Sequence, residues 1–196
     1  MSKKTSVNER RKFMKILGLG AIATASSALA RGPGGGSGGD TVELTEEQKD
    51  TLYFIFQEEK VARDVYITLG KLYPNENTFA NIQLSEQEHI LSAQVLCERY
   101  GIDTSAVNLS LEDPYVGLFD LHEMQKLYDD CVALGQSSLL EAVRVGILIE
   151  VTDIKDLEEA SVDMPSDVVN VYANLKDGSL NHLAAFEASE KSLLSY

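Results

Sequence analysis

Between Thr45 and the end of the chain, apolar residues recur three and four positions apart, and period-two alternation is nearly absent. That spacing puts one apolar face on a helix of 3.6 residues per turn, so the chain is predicted to be all-α. A first helix is predicted from Thr45, with Glu46 and Glu47 in its first turn, to Leu69, with Gly70 as its stop. Its inward stripe reads Leu52, Ile55/Phe56, Glu59, Ala62/Arg63, Tyr66 and Leu69. A second helix follows the YPNEN turn, from Glu76 to Tyr100, and turns Phe79, Ile82, Glu86, His89, Ala93 and Leu96/Cys97 inward. A short helix is predicted over 118–134, after an irregular stretch containing Asp113-Pro114. A third long helix starts near Ser137 or Ser138, with Leu140, Val143, Ile147, Glu150, Asp153/Ile154 and Leu157 on one face. Beyond the SVDMP turn, Ser166 or Asp167 can cap a fourth, whose stripe is Val168, Tyr172, Leu175, Ser179, His182 and Phe186.

Each of the four long stripes is broken by polar residues near mid-length: Glu59; Glu86 with His89; Glu150 with Asp153; Ser179 with His182. Residues three apart stack on one helical face. Turned into a core without partners, such groups would each cost several kcal/mol, so something must compensate them. Taken together they supply four carboxylates and two imidazoles, a donor set suited to iron, manganese or zinc rather than calcium or magnesium. Two divalent ions would neutralise four carboxylates. The expected metal ligands are therefore Glu59, Glu86, His89, Glu150, Asp153 and His182, and the competing reading is a buried polar network without metal. For Asp153 two roles stay open, as a ligand or as a partner orienting His182 through its second ring nitrogen. Arg63 is expected to pair with Glu59 one turn away. Tyr66 and Tyr172 read as core aromatics with a satisfied hydroxyl, with a role in redox chemistry or metal contact as the alternative, and His122, Glu58 and Asp129-Asp130 read as solvated surface.

The broken stripes resemble the ferritin-like di-iron proteins, which take one Glu from each of two helices and a Glu-x-x-His from each of two others. EKVARDVY, from Glu59 to Tyr66, is similar to the Glu-x-x-Ala-x-x-x-Tyr of bacterioferritin-like chains. FANIQLSEQEH, from Phe79 to His89, is similar to the rubrerythrin-like Phe-x-x-Ile-x-x-x-Glu-x-x-His. GILIEVTDIKDLE and VYANLKDGSLNHLAAF resemble the ferritin-like family designated domain of unknown function 2202. The resemblance covers roughly residues 45–190. It implies a four-helix bundle with one long crossover, over 101–137, carrying the short extra helix. It also implies two iron ions, or manganese or zinc in their place, and a reaction that reduces peroxide or oxygen or oxidises ferrous iron. The alternative is a non-catalytic bundle that binds or scavenges metal or serves a structural role. The chain departs from the pattern at Ser179, where ferritins carry Glu, so Asp153 is the replacement carboxylate. No rubredoxin-like Cys₄ module is present, so a peroxidase of this kind would draw on an external electron donor.

The N-terminal thirty residues differ in composition from the helical region. In NERRKFMKILGLGAIATASSALA a basic segment precedes an apolar run that ends in Ala28-Leu29-Ala30, a small-x-small cleavage pattern. Arg10-Arg11 with Phe13 and Lys15 resembles a twin-arginine export signal, a route for proteins that fold before translocation. The run is too short and too rich in Ala, Gly and Ser for a comfortable membrane span, so no stable span is expected after cleavage. The expected organisation is a leader over 1–30, a flexible Gly/Ser linker over 31–39 and the helical domain over 40–196. Periplasmic, extracytoplasmic or secreted localisation follows. The formal net charge of −14 argues against nucleic acid and favours the approach of cations. The two cysteines, Cys97 and Cys131, form no zinc motif; a disulfide and two buried thiols both remain open. The oligomeric state is open too, with a homodimer among the options.

Overall fold

The structure, a computed structural model, describes residues 43–195, which form five α-helices and, among the described residues, no strand. These are α1 (Glu46–Leu72), α2 (Asn77–Arg99), α3 (His122–Gly135), α4 (Leu139–Ala160) and α5 (Ser166–Leu193). The expected leader, the linker and the first residues of the expected 40–196 domain lie outside the described residues.

Local chemistry sets most helix starts. Thr45 and Gln48 form a reciprocal capping box on α1, Glu76 caps α2 through the Thr78 N–H, and Ser138 caps α4 through the Glu141 N–H. Three boundaries differ from the sequence reading, each for a tertiary reason. α1 continues through Gly70 to Leu72. There the glycine is a contact, since a Cβ on it would lie 3.2 Å from Phe79 Cβ on α2. α3 starts four residues later than expected, because Asp64 and Gln57 on α1 accept the Gly117 and Leu121 N–H groups and hold that stretch out of helix. Neither Ser166 nor Asp167 caps α5, whose cap position is Pro165. Asp167 instead accepts hydrogen bonds from Arg99 and Tyr100 at the end of α2.

Contacts at the helix ends define direction. Gln48 near the start of α1 donates to the Asp163 carbonyl beyond α4, and Tyr73 just past α1 donates to the Gly135 carbonyl ahead of α4. α1 and α4 are therefore antiparallel. Ser189 near the end of α5 donates to Glu76 at the start of α2, while Arg99 at the end of α2 pairs with Asp167 at the start of α5. That pair is antiparallel as well. The links of α1 to α2 and of α4 to α5 are short, so α2 and α4 run the same way, joined by the long connection that carries α3. α1 packs on α2, α3 and α4, and α5 packs on α2 and α4.

Two apolar cores result. One holds Leu52, Ile55, Phe56, Ile90, Leu96, Leu157, Tyr172 and Leu175. The other holds Val61, Val65, Leu69, Phe79, Ile82, Val143, Ile149 and Phe186. Every long helix contributes to both, and the polar interruptions fall between them. Burying side chains of this size stabilises by roughly 1.5–3 kcal/mol each, which is what can hold an intervening polar layer in place.

α1 is covered on all sides, with every residue from Ile55 to Ile67 buried. Its outer polar residues serve the connection that crosses it. Lys60 donates to the Tyr115 and Leu118 carbonyls, Arg63 to the Leu109 carbonyl, and Asp64 accepts from Gly117. An irregular segment buried against a helix must find such partners for its backbone. Gly117 has a φ of +82°, and a Cβ there would lie 2.5 Å from the Tyr128 ring, so the turn requires glycine twice over.

Candidate metal centre

The structure brings the polar interruptions of α1, α2, α4 and α5 into one buried layer. Glu59, Glu86 and Glu150 are each 1% exposed, Asp153 5%, His182 7% and His89 8%. Glu86 is the hub. Its Oε2 lies 3.0 Å from His89 Nδ1, and its Oε1 lies 2.8 Å from His182 Nδ1. His89 Nδ1 also stands 3.2 Å from Glu59 Oε2, and His182 Nδ1 stands 3.6 Å from Glu150 Oε2. The imidazoles stack with centroids 5.3 Å apart and planes at 30°. Helix geometry explains the convergence: Glu86 and His89 lie three apart on α2, and Glu150 and Asp153 three apart on α4, so each pair projects from one face.

Supporting residues hold the carboxylates from behind. Tyr66 donates to Glu150 Oε1 at 2.5 Å, linking α1 to α4. Ser179 Oγ lies 2.6 Å from Asp153 Oδ2 and 3.1 Å from the Leu175 carbonyl. A serine hydroxyl has a single hydrogen, so it serves one of these acceptors at a time. Between the two roles left open for Asp153, the orienting contact with His182 is not made among the described residues; its partner is Ser179.

The electrostatics follow from crowding carboxylates in a buried layer. Burial is the main cause that pushes Glu59 up to about 7 and Glu150 up to about 8, and the neighbouring Glu86 charge adds to both. Burial likewise raises Asp153 well above the usual carboxylate range, with the Glu59 charge adding to it. Burial works in the same direction on Glu86, yet the close approach of His182 and His89 outweighs it and brings this group down to about 2. Burial alone would lower the imidazoles. Contact with Glu59 and Glu86 instead lifts His89 to about 11, and contact with Glu150 and Glu86 lifts His182 to about 9. The layer therefore demands positive charge at the two Nδ1 positions, which protons or metal ions can meet.

The donors suit a metal. Glu59 Oε1, Glu86 Oε1, Asp153 Oδ1 and His182 Nδ1 are buried and make no aligned hydrogen bond. One ligand atom each from Glu86, His89 and His182 can be chosen so that all lie within 4.8 Å of one another. Carboxylate oxygen with imidazole nitrogen is a donor set for divalent transition metals. Glu59, 3.2 Å from His89 Nδ1, and Glu150, 3.6 Å from His182 Nδ1, add carboxylate oxygens beside the same two nitrogens.

Several surrounding residues depart from the sequence reading. Arg63 does not pair with Glu59. Its guanidinium pairs with Asp64 and reaches Gln87 and the Leu109 carbonyl, because it points toward the long connection and away from the layer. Glu58, read as surface, is 6% exposed. Burial pushes its carboxyl well above the usual range, and the facing Asp156 raises it further. Gly178 carries no side chain for periodicity to place, yet a Cβ there would lie 2.4 Å from His89 Nε2. A glycine in the interior of a predicted helix was its available signal. Tyr66 and Tyr172 are buried, as expected, and His122 is exposed. Cys97 and Cys131 are buried free thiols in different apolar cores, which settles the open pairing against a disulfide.

Among the described residues, no helix is long and apolar enough to cross a membrane. Residues 48–192 match the family described as "Uncharacterized protein domain (DUF2202)". The chain is 38% identical over 144 residues to the uncharacterized protein MJ0754 of Methanocaldococcus jannaschii, covering 73% of this chain and 75% of that protein. It is also similar to the crystal structure of hypothetical protein MJ0754 from Methanococcus jannaschii DSM 2661. That match has a TM-score of 0.71 and 34% identity over 85% of this chain and 87% of the other. The family match spans all five helices except the extreme ends of the first and last, and on that ground the chain belongs to the DUF2202 family.

Proposed function

We propose that this protein is a ferritin-like metal protein that holds two iron or manganese ions in the buried layer and acts on oxygen or peroxide. One observation carries the reading: four helices deliver four carboxylates and two inward-facing imidazole Nδ1 atoms to one buried layer between two apolar cores. Glu86 would supply a carboxylate oxygen beside each histidine, Glu59 and His89 would hold one position, and Glu150 and His182 the other. Asp153 would supply the carboxylate that Ser179 lacks. When bound, a pair of such ions supplies reversible change of oxidation state in contact with oxygen or peroxide. The chain's own residues hold the ligands: Tyr66 fixes Glu150, Ser179 fixes Asp153, and an apolar core flanks the layer on either side. The antiparallel pairs joined by one long connection support the ferritin-like assignment. The twin-arginine-like leader supports export of the folded, loaded bundle.

The test is anaerobic addition of ferrous iron or manganese to metal-free protein, followed by metal analysis and then exposure to oxygen or peroxide. Two ions per chain and repeated turnover with a supplied reductant are expected. Stoichiometric uptake without turnover would replace the enzyme reading with a storage or scavenging one, and absence of binding would remove both.

A further inference from the structure

We infer that Gly178 is a positioning residue for the metal centre: its missing side chain is the seat of the His89 ring, and so keeps His89 Nδ1 on the carboxylates. The inference rests on the metal-binding reading of the layer. Gly178 lies well inside α5, where glycine is among the least favourable residues, and its φ is not in the left-handed region. Backbone conformation therefore gives no reason for it. Packing does. A Cβ at this position would lie 2.4 Å from His89 Nε2 and 2.7 Å from His89 Cε1, and the third-nearest atom, at 3.8 Å, also belongs to His89. The space a side chain would fill is occupied by this imidazole and by nothing else so close.

The adjacent corner of the ring, Nδ1, faces the layer. His89 Nδ1 is 3.0 Å from Glu86 and 3.2 Å from Glu59, so an alanine in place of Gly178 cannot push the ring back without changing both distances. Swinging the ring about its own bond would take Nδ1 off the carboxylates. Gly178 thus acts through His89, setting which nitrogen faces the layer and how far it reaches. It is adjacent to Ser179, which holds Asp153, so one turn of α5 braces donors from two other helices.

The test compares four proteins: the parent, Gly178→Ala, His89→Ala and the double variant, each measured for metal-free melting temperature and for cobalt(II) binding by visible absorption. Gly178→Ala is expected to keep its helical circular dichroism and to bind cobalt about 10–100-fold more weakly, the range seen when a residue supporting a metal ligand is lost. In the His89→Ala background the clash is gone, so adding Gly178→Ala should raise the melting temperature, as helix preference dictates. Should Gly178→Ala fail to fold while the double variant folds, the ring contact is still demonstrated. Unchanged cobalt affinity in Gly178→Ala, or failure of both the single Gly178→Ala and the double variant to fold, would overturn the inference. A parent that binds no cobalt, iron or manganese would instead overturn the metal reading, and the positioning role with it.

Discussion

Replacing Glu86 with Gln tests the layer at its hub. The carboxylate is 1% exposed and touches both imidazoles, at 3.0 and 2.8 Å, so the substitution removes one buried anion from two cationic partners without changing shape. Breaking a buried ion pair by neutralising one side costs about 3–5 kcal/mol. The lower end applies, since the amide oxygen still accepts from one ring and Glu59 and Glu150 still flank the pair. At roughly 2–4 °C per kcal/mol for a domain of this size, a loss of about 3 kcal/mol lowers the metal-free melting temperature by about 6–12 °C. The pH dependence of that difference has a defined sign. Glu86 is lowered to about 2, so its contribution is complete above its unfolded pKa and fades as pH falls through the acid range. His182 and His89 are raised to about 9 and 11, so theirs is complete below about 6.5 and is lost as pH rises through those values. The gap between parent and variant should thus be widest near pH 5–6 and narrow above about 9. Thermal denaturation with a chelator present, followed by circular dichroism, measures it. A variant that melts with the parent at pH 6, or that still holds two metal ions, would refute the hub assignment.

Four further outcomes are expected. The metal-free protein should lose stability as pH rises from about 5 to 9.5, because Glu59 and Glu150, raised to about 7 and 8, hold protons in the fold that the unfolded chain has released, and the histidines add to the trend; stability rising over that interval in chelator melts would contradict it. Asp64→Asn should cost about 3–5 kcal/mol, since it strands Lys60 and Arg63, both 0% exposed, and should make the stretch from Leu109 to Leu121 sensitive to limited proteolysis; resistance equal to the parent's would show that this network does not pin the connection. Asp153→Asn should lower occupancy of one metal position, and Ser179→Ala, which removes only a hydrogen bond to that carboxylate, should act in the same direction and more weakly; metal analysis showing the reverse ranking would invert the assigned roles. Replacing Arg10 and Arg11 with Lys should stop export through the twin-arginine route, read by cell fractionation, and unchanged export would remove the folded-export reading.

Spacing along the chain was enough to place the helices and to name the residues that face the layer. Spacing of three and four positions is a local property of a helical face, so Glu59, Glu86, His89, Glu150, Asp153 and His182 could be read as inward before any helix was placed beside another. Ser179 stood out for the same reason, as a small polar residue on an apolar stripe. Periodicity cannot say which second element lies over a face, and that was left to the tertiary structure. Lys60 and Asp64 lie away from the inward stripe of α1, and they are buried only because the connection from α2 to α4 folds over them and takes their hydrogen bonds. Gly70 reads as a helix stop and becomes a helix contact once Phe79 lies against it. Gly178 has no side chain whose pattern could be read, and its role exists only because α2 delivers the His89 ring to that spot. Side-chain periodicity is written along one chain, whereas steric fit and the partners of buried charges belong to pairs of elements far apart in it, and only packing brings those pairs together.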